Sequence, residues 1–174
     1  DLEHIINHLG LDTQRQVLLS TNKVSQQDLA AMYNMADCTI NISDAEGFGL
    51  ATLESLSCGT PIIATMTGGL QDQILADRET FGIPLLPTSK AVIGSQQVPY
   101  IYEDRIGKGQ LVSALGKIHH MTAEGRREWG LQGREHVMKN FSFETFNNSW
   151  VELMTNVYEE CGSWKTRKGY NGIT

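Results

Sequence analysis

Glu46 and Glu54 are separated by seven residues that include Gly47, Phe48, Gly49, Leu50 and Ala51, inside the stretch DAEGFGLATLESLSCGTPIIAT from Asp44 to Thr65. Carboxylates accept hydrogen bonds and donate none, so two of them in one site suit a ligand rich in hydroxyls, such as a ribose or a hexose ring. Glycines between them suit something else. Gly47 and Gly49 lack a Cβ and let a ligand come close to the backbone, and a helix starting near Gly49 would present the unpaired amides of Gly49, Leu50 and Ala51 at its positive end. That is an arrangement for phosphate. Glu54 follows Leu50 by four residues, about one turn and about 6 Å along the axis, which is the separation of a ribose from the diphosphate it carries. Glu46, ahead of the helix, would then meet a sugar on the other side of the phosphates. A blander reading stands beside this one, with Glu46 complementing the helix dipole and Glu54 as a solvated helix residue. Against it, Leu53, Leu56, Cys58 and the run PIIAT surround Glu54 with sequence that reads as buried, where an unpaired carboxylate is costly.

Other chemistries find little support. His4, His8, His119, His120 and His136 lack any H-E-x-x-H or comparable metal spacing and read as surface or packing residues. Ser43, Ser55 and Ser57 sit in no G-x-S-x-G elbow, which argues against a hydrolase triad. Cys38, Cys58 and Cys161 are odd in number and contain no C-x-x-C pair, so they read as reduced core residues. The net charge of −6 has the wrong sign for gripping a nucleic acid, and no apolar run is long enough to span a bilayer. No transmembrane segment is expected. The absence of a signal-peptide pattern points to the cytoplasm.

The elements that must hold the two acids alternate. Helical spacing over Leu2, Ile5, Ile6 and Leu9 ends at Gly10; QVLLST (residues 16–21) reads as a strand; Ser25 caps a helix with Leu29, Met32, Tyr33 and Ala36 on one face. CTINIS (38–43), PIIATM (61–66) and GIPLLP (82–87) read as further strands, with helices after the first two. Short strands alternating with helices predict an α/β fold: a parallel sheet with helices on both faces. Residues 88–106 look like an inserted excursion with one extended segment near Tyr100–Tyr102 and no assigned role. Three helices follow, the last capped by Ser142 and striped with Phe146, Trp150, Leu153, Val157 and Tyr158. The expected organisation is one domain over 1–161 and a flexible tail over 162–174.

The stretch Ser43–Thr65 resembles the E-x7-E signature of retaining GT-B glycosyltransferases of family 4, the glycogen-synthase and sucrose-synthase type. Glu46 and Glu54 match the paired acids, and Ser43, Gly47, Phe48, Gly49, Leu50, Leu53, Gly59 and Pro61 match around them. Weaker resemblance extends over residues 28–43 and the later helices. It implies the Rossmann-like, donor-binding carboxy-terminal domain of a two-domain enzyme. Its substrate would be a nucleotide diphospho-sugar of the UDP or GDP type, with no metal and no other cofactor. The resemblance further implies that Glu46 contacts donor-sugar hydroxyls, that amides near Leu50 and Ala51 meet the diphosphate, that Glu54 binds the ribose, and that Val24 contacts the base. A carbohydrate or glycolipid acceptor would be held by an amino-terminal domain. Two further βα units, bearing an Arg and a Lys for the β-phosphate, would precede Asp1, so the chain is expected to be part of a longer enzyme whose strand QVLLST lies beyond those missing strands. Two alternatives stay open: a GT-B sugar-nucleotide epimerase, and a nucleotide-sugar-binding module without transferase activity.

Overall fold

A computed structural model describes residues 1–76 and 78–166. Its centre is a parallel sheet of β1 (Thr39–Asn41), β2 (Ile62–Thr65) and β5 (Ile83–Leu85), in the order β1-β2-β5, with Ile40 paired to Ile63 and Ile63 to Ile83. All four residues of β2 are buried, so side chains alternating along that strand must find apolar partners on both faces. Ile62 and Ala64 pack into one cluster with Leu56, Leu70, Ile74 and Val137, from α3 (Leu50–Ser57), α4 (Leu70–Ile74) and α6 (Ala123–Asn140). Ile63 turns the other way and joins Ile83, Leu85, Ala114 and Ile118, the last two on α5 (Lys108–His120). The α/β reading with helices on both faces therefore holds.

Caps explain where the helices begin. Asp1 opens α1 (Leu2–His8), Ser25 accepts from the Asp28 amide at 3.1 Å to open α2 (Gln26–Met35), and Ser142 does the same for Thr145 at the start of α7 (Phe143–Cys161). Helix α6 lies so close to the end of α3 that a Cβ on Gly130 would stand 1.9 Å from the Gly59 carbonyl oxygen. Helix α2 is fixed to the sheet by a buried hydroxyl: Thr60 Oγ1 donates to the Tyr33 carbonyl at 2.7 Å. Thr60→Val keeps the shape and loses that bond, and is expected to lower unfolding free energy by about 1 kcal/mol in urea titration.

Several expectations are corrected. Residues 16–21 form no strand; Leu18 and Leu19 are exposed. A strand is stable only beside another, and among the described residues none pairs with the outer edge of β1, so QVLLST has no ladder to join. Residues 88–106 hold two strands rather than one extended segment: β6 (Ser89–Ile93) pairs antiparallel with β7 (Ile101–Arg105), Val92 opposite Tyr102. A short antiparallel pair, β3 (Leu75–Ala76) with β4 (Glu79–Thr80), also lies between α4 and β5. The apolar stripe on α7 stays at the surface, with Phe146, Trp150, Leu153, Val157 and Tyr158 all exposed. Cys161 is exposed at the end of that helix and is not a core residue. Burial pushes the Cys38 thiol up to about 11 and raises that of Cys58, which keeps both protonated and inert at neutral pH. His136 is a packing residue, stacked on Phe81 at 4.1 Å between ring centres. Among the described residues no helix is long and apolar enough to cross a membrane. Within the expected tail, Ser163 and Thr166 close a turn, and 167–174 lie outside the described residues.

Candidate functional site

The loops leaving β1, β2 and β5 gather at the carboxyl edge of the sheet, where ligands of open α/β folds collect. Asn41, the last residue of β1, starts the shaping of this edge. Its side chain donates to Thr52 Oγ1 on α3 at 3.1 Å and accepts from the Ser43 hydroxyl at 2.7 Å, so the departing chain is drawn across the start of the helix. Glu46 then sits half-buried in the loop, its carboxylate taking the Gly47 amide at 3.1 Å. Gly49 is the cap of α3. It is buried with φ of 89°, a left-handed conformation that glycine adopts without steric cost.

That conformation decides which amides are free. The Gly49 carbonyl takes the Thr52 and Leu53 amides at 3.1 and 3.2 Å, which leaves those of Leu50 and Ala51 with no acceptor among the described residues. They lie at the positive end of an eight-residue helix. The predicted helix start near Gly49 is met, and Glu46, Gly47, Gly49, Leu50 and Ala51 are brought together at this tip.

Glu54 lies one turn further along. It is exposed rather than buried, because α3 turns Thr52, Ser55 and Leu56 inward and leaves positions 50, 54 and 57 facing α2. Glu54 is therefore not the buried carboxylate that its sequence neighbours suggest. In its place is a cleft of about 280 Å³ lined by Gln26, Leu29, Tyr33, Leu50, Leu53 and Glu54. The Tyr33 hydroxyl donates to Glu54 Oε2 at 3.1 Å. Burial, followed by that hydrogen bond, pushes the Tyr33 phenol up to about 12, so it remains a donor throughout the neutral range and holds the carboxylate toward the cleft. Val24 stands exposed before the Ser25 cap and does not line this cleft. Phe48 points another way, edge-on to Phe141 at 6.3 Å, and contributes its backbone.

Residues not singled out from the sequence complete the loop's support. The turn after β2 packs against it backbone to backbone: a Cβ on Gly68 would lie 1.7 Å from the Glu46 carbonyl oxygen, and the Gly69 amide donates to the Gly47 carbonyl at 3.1 Å. Gln73, fully buried on α4, donates from Nε2 to the Phe48 carbonyl at 2.6 Å. The adjacent glycines two residues after the strand PIIAT were the available signal for the first contact; nothing in the short, mostly polar helix LQDQI singles out Gln73 for the second. On the opposite side, Arg105 at the base of β7 pairs with Asp44.

Comparison with known proteins follows the same outline. Residues 1–86 match the family described as glycosyl transferases group 1. A D-inositol 3-phosphate glycosyltransferase of Arthrobacter sp. (strain FB24) is 32% identical over 125 residues, which is 72% of this chain and 27% of that protein. Among solved structures, a sucrose-phosphate synthase from Thermosynechococcus elongatus superposes with a TM-score of 0.67 at 23% identity, over 91% of this chain and 34% of the other. The carboxy-terminal domain of a glycosyl transferase group 1 family protein from Francisella tularensis gives 0.59 at 21% identity, over 82% and 61%. At those identities the two structures speak for the fold. The chain thus spans about a quarter of the length of the curated relative.

Proposed function

The chain has the fold of a GT-B glycosyltransferase carboxy-terminal domain, with the group 1 family matched over residues 1–86, and from that premise we propose that it binds a nucleotide diphospho-sugar for transfer of its hexose to an acceptor hydroxyl with retention of configuration. The observation that carries the proposal is the helix tip. Two acceptor-less amides, Leu50 and Ala51, stand between a half-buried acid before the helix and an acid one turn up it that faces a cleft. In this reading the amides take the diphosphate, Glu54 takes the ribose hydroxyls with Tyr33 steadying it, and Glu46 takes hydroxyls of the sugar. The pair is the E-x7-E of family 4. A UDP or GDP donor, an acceptor domain elsewhere in the protein and a cytoplasmic location belong to the same proposal.

The reaction needs no protein nucleophile. The bond from the anomeric carbon to the phosphate oxygen breaks, the acceptor oxygen bonds to that carbon on the same face, and the acceptor's proton passes to the departing phosphate oxygen. Protein groups position the reactants and stabilise charge growing on the diphosphate, a task we assign to the helix amides and to cationic side chains rather than to a metal. The assignment of Val24 to the base rests on the resemblance alone, since Val24 lies outside the cleft beside Glu54.

Calorimetry with UDP, GDP and ADP tests the reading. One of the three is expected to bind, and Glu54→Ala to weaken it by about 2 kcal/mol, roughly thirtyfold, as for a hydrogen bond made by a charged group. No binding by any of them, or an unchanged affinity in Glu54→Ala, overturns the assignment.

A further inference from the structure

The hairpin of β6 and β7 extends from the carboxyl edge of the sheet, and its base is fastened to the loop that carries Glu46. The Asp104 amide donates to the Asp44 carbonyl at 2.8 Å. Arg105 adds a side-chain link, with Nη1 2.8 Å from Asp44 Oδ2 and Nη2 2.7 Å from Glu103 Oε2. The Nη1 contact joins the strand to the loop, and the Nη2 contact to Glu103, two residues back on the same strand, fixes the guanidinium that makes it, a fork that a lysine ammonium lacks. Asp44 stands two residues before Glu46. Beyond Glu46, the Gly68–Gly69 turn and Gln73 hold the backbone of residues 46–48. The loop is thus gripped at both ends, by the core at one and by the hairpin at the other.

We propose that Arg105 is a positioning residue for sugar transfer, acting through Asp44 to set where the Glu46 carboxylate meets the donor sugar. The inference rests on the assignment of Glu46 above. Ion pairs as exposed as this one add little to global stability, so a purely structural role would leave ligand chemistry untouched. A geometric role does not. Misplacing a reacting group by about 1 Å can cost a hundredfold in rate, so turnover is the sensitive readout.

The test uses the full-length protein with UDP, UDP-glucose, GDP and GDP-mannose as probes. Two quantities are read: nucleoside diphosphate release, and the ratio of the affinity for a nucleotide sugar to that for its bare diphosphate. Arg105→Met is expected to lower release at least about tenfold and to shrink the ratio, with the affinity for the bare diphosphate within about twofold. Arg105→Lys should fall between. The triple variant Arg105→Met, Asp44→Asn, Glu103→Gln should stay low, because it removes the repulsion between the two acids without restoring the link. Wild-type release and ratio in Arg105→Met, or their recovery in the triple variant, overturn the proposal provided that Glu46→Ala loses both. If Glu46→Ala also keeps both, the assignment of Glu46 fails and this inference with it.

Discussion

Gly68→Ala is expected to lower the unfolding free energy by about 3 kcal/mol and to abolish the sugar-dependent part of donor binding. Two costs combine. Gly68 has φ of 49°, where a side chain pays about 1 kcal/mol or more, and its Cβ would stand 1.7 Å from the Glu46 carbonyl oxygen and 2.8 Å from the carbonyl carbon. Overpacking in a well-fitted region adds about 1 to 3 kcal/mol. The obstacle is backbone, so no side chain can rotate out of the way. Relief must come from whichever segment yields first. Gly68 is tied to buried Leu70 and the rest of α4, whereas the Glu46 loop is half-exposed, so the loop moves. Urea titration reads the first effect and calorimetry with a nucleotide sugar the second. Gly109→Ala, exposed on α5 and outside the site, serves as the control, since a Cβ there meets nothing within 4 Å. Equal behaviour of the two variants would sink the argument.

The same contact shows what a sequence can and cannot disclose. CTINIS, PIIATM and GIPLLP were legible as strands because β-branched alternation or a short apolar run is a local property, and the caps at Ser25 and Ser142 were legible for the same reason. QVLLST has that local signature too and is no strand. Strand identity also requires a neighbour, which is a property of the assembled sheet and not of six residues. The partner of Tyr100–Tyr102 was missed on the same ground. SKAVI has no strong alternation, and only its pairing to Ile101–Arg105 makes it β6. At the site, the helix start at Gly49 could be predicted from two glycines and a following apolar run. Which face of α3 would be covered could not. Glu54 read as buried from its neighbours in sequence, but the sheet and α6 take positions 52, 55 and 56, and α2 leaves an open cleft over 54. Gly68, Gln73 and Arg105 reach the loop from residues twenty or more positions away, through contacts that no spacing rule encodes.

Glu46→Ala should reduce turnover by about a hundredfold to a thousandfold while leaving the affinity for the bare nucleoside diphosphate within about twofold, the range seen when one preorganised electrostatic contact is removed from a transition state. The direction follows from where the residue sits. Glu46 is in the loop ahead of α3 and Glu54 one turn up that helix, so in the proposed assignment Glu46 takes the sugar and not the nucleoside. In the ground state it offers hydroxyl contacts; as the bond to phosphate stretches, the sugar ring becomes cationic and a nearby carboxylate gains more than a neutral acceptor would. Glu46→Gln separates the two contributions. The amide keeps an acceptor for hydroxyls and loses the charge, so sugar affinity should recover further than turnover does. Half-buried in the loop, Glu46 has its carboxylate on the Gly47 amide, which gives it one fixed partner and leaves the other oxygen for the ligand. Matching losses of turnover and of bare-diphosphate affinity in Glu46→Ala and Glu54→Ala would mean that the two acids share one job, and the division of the site into a sugar side and a ribose side would have to be abandoned.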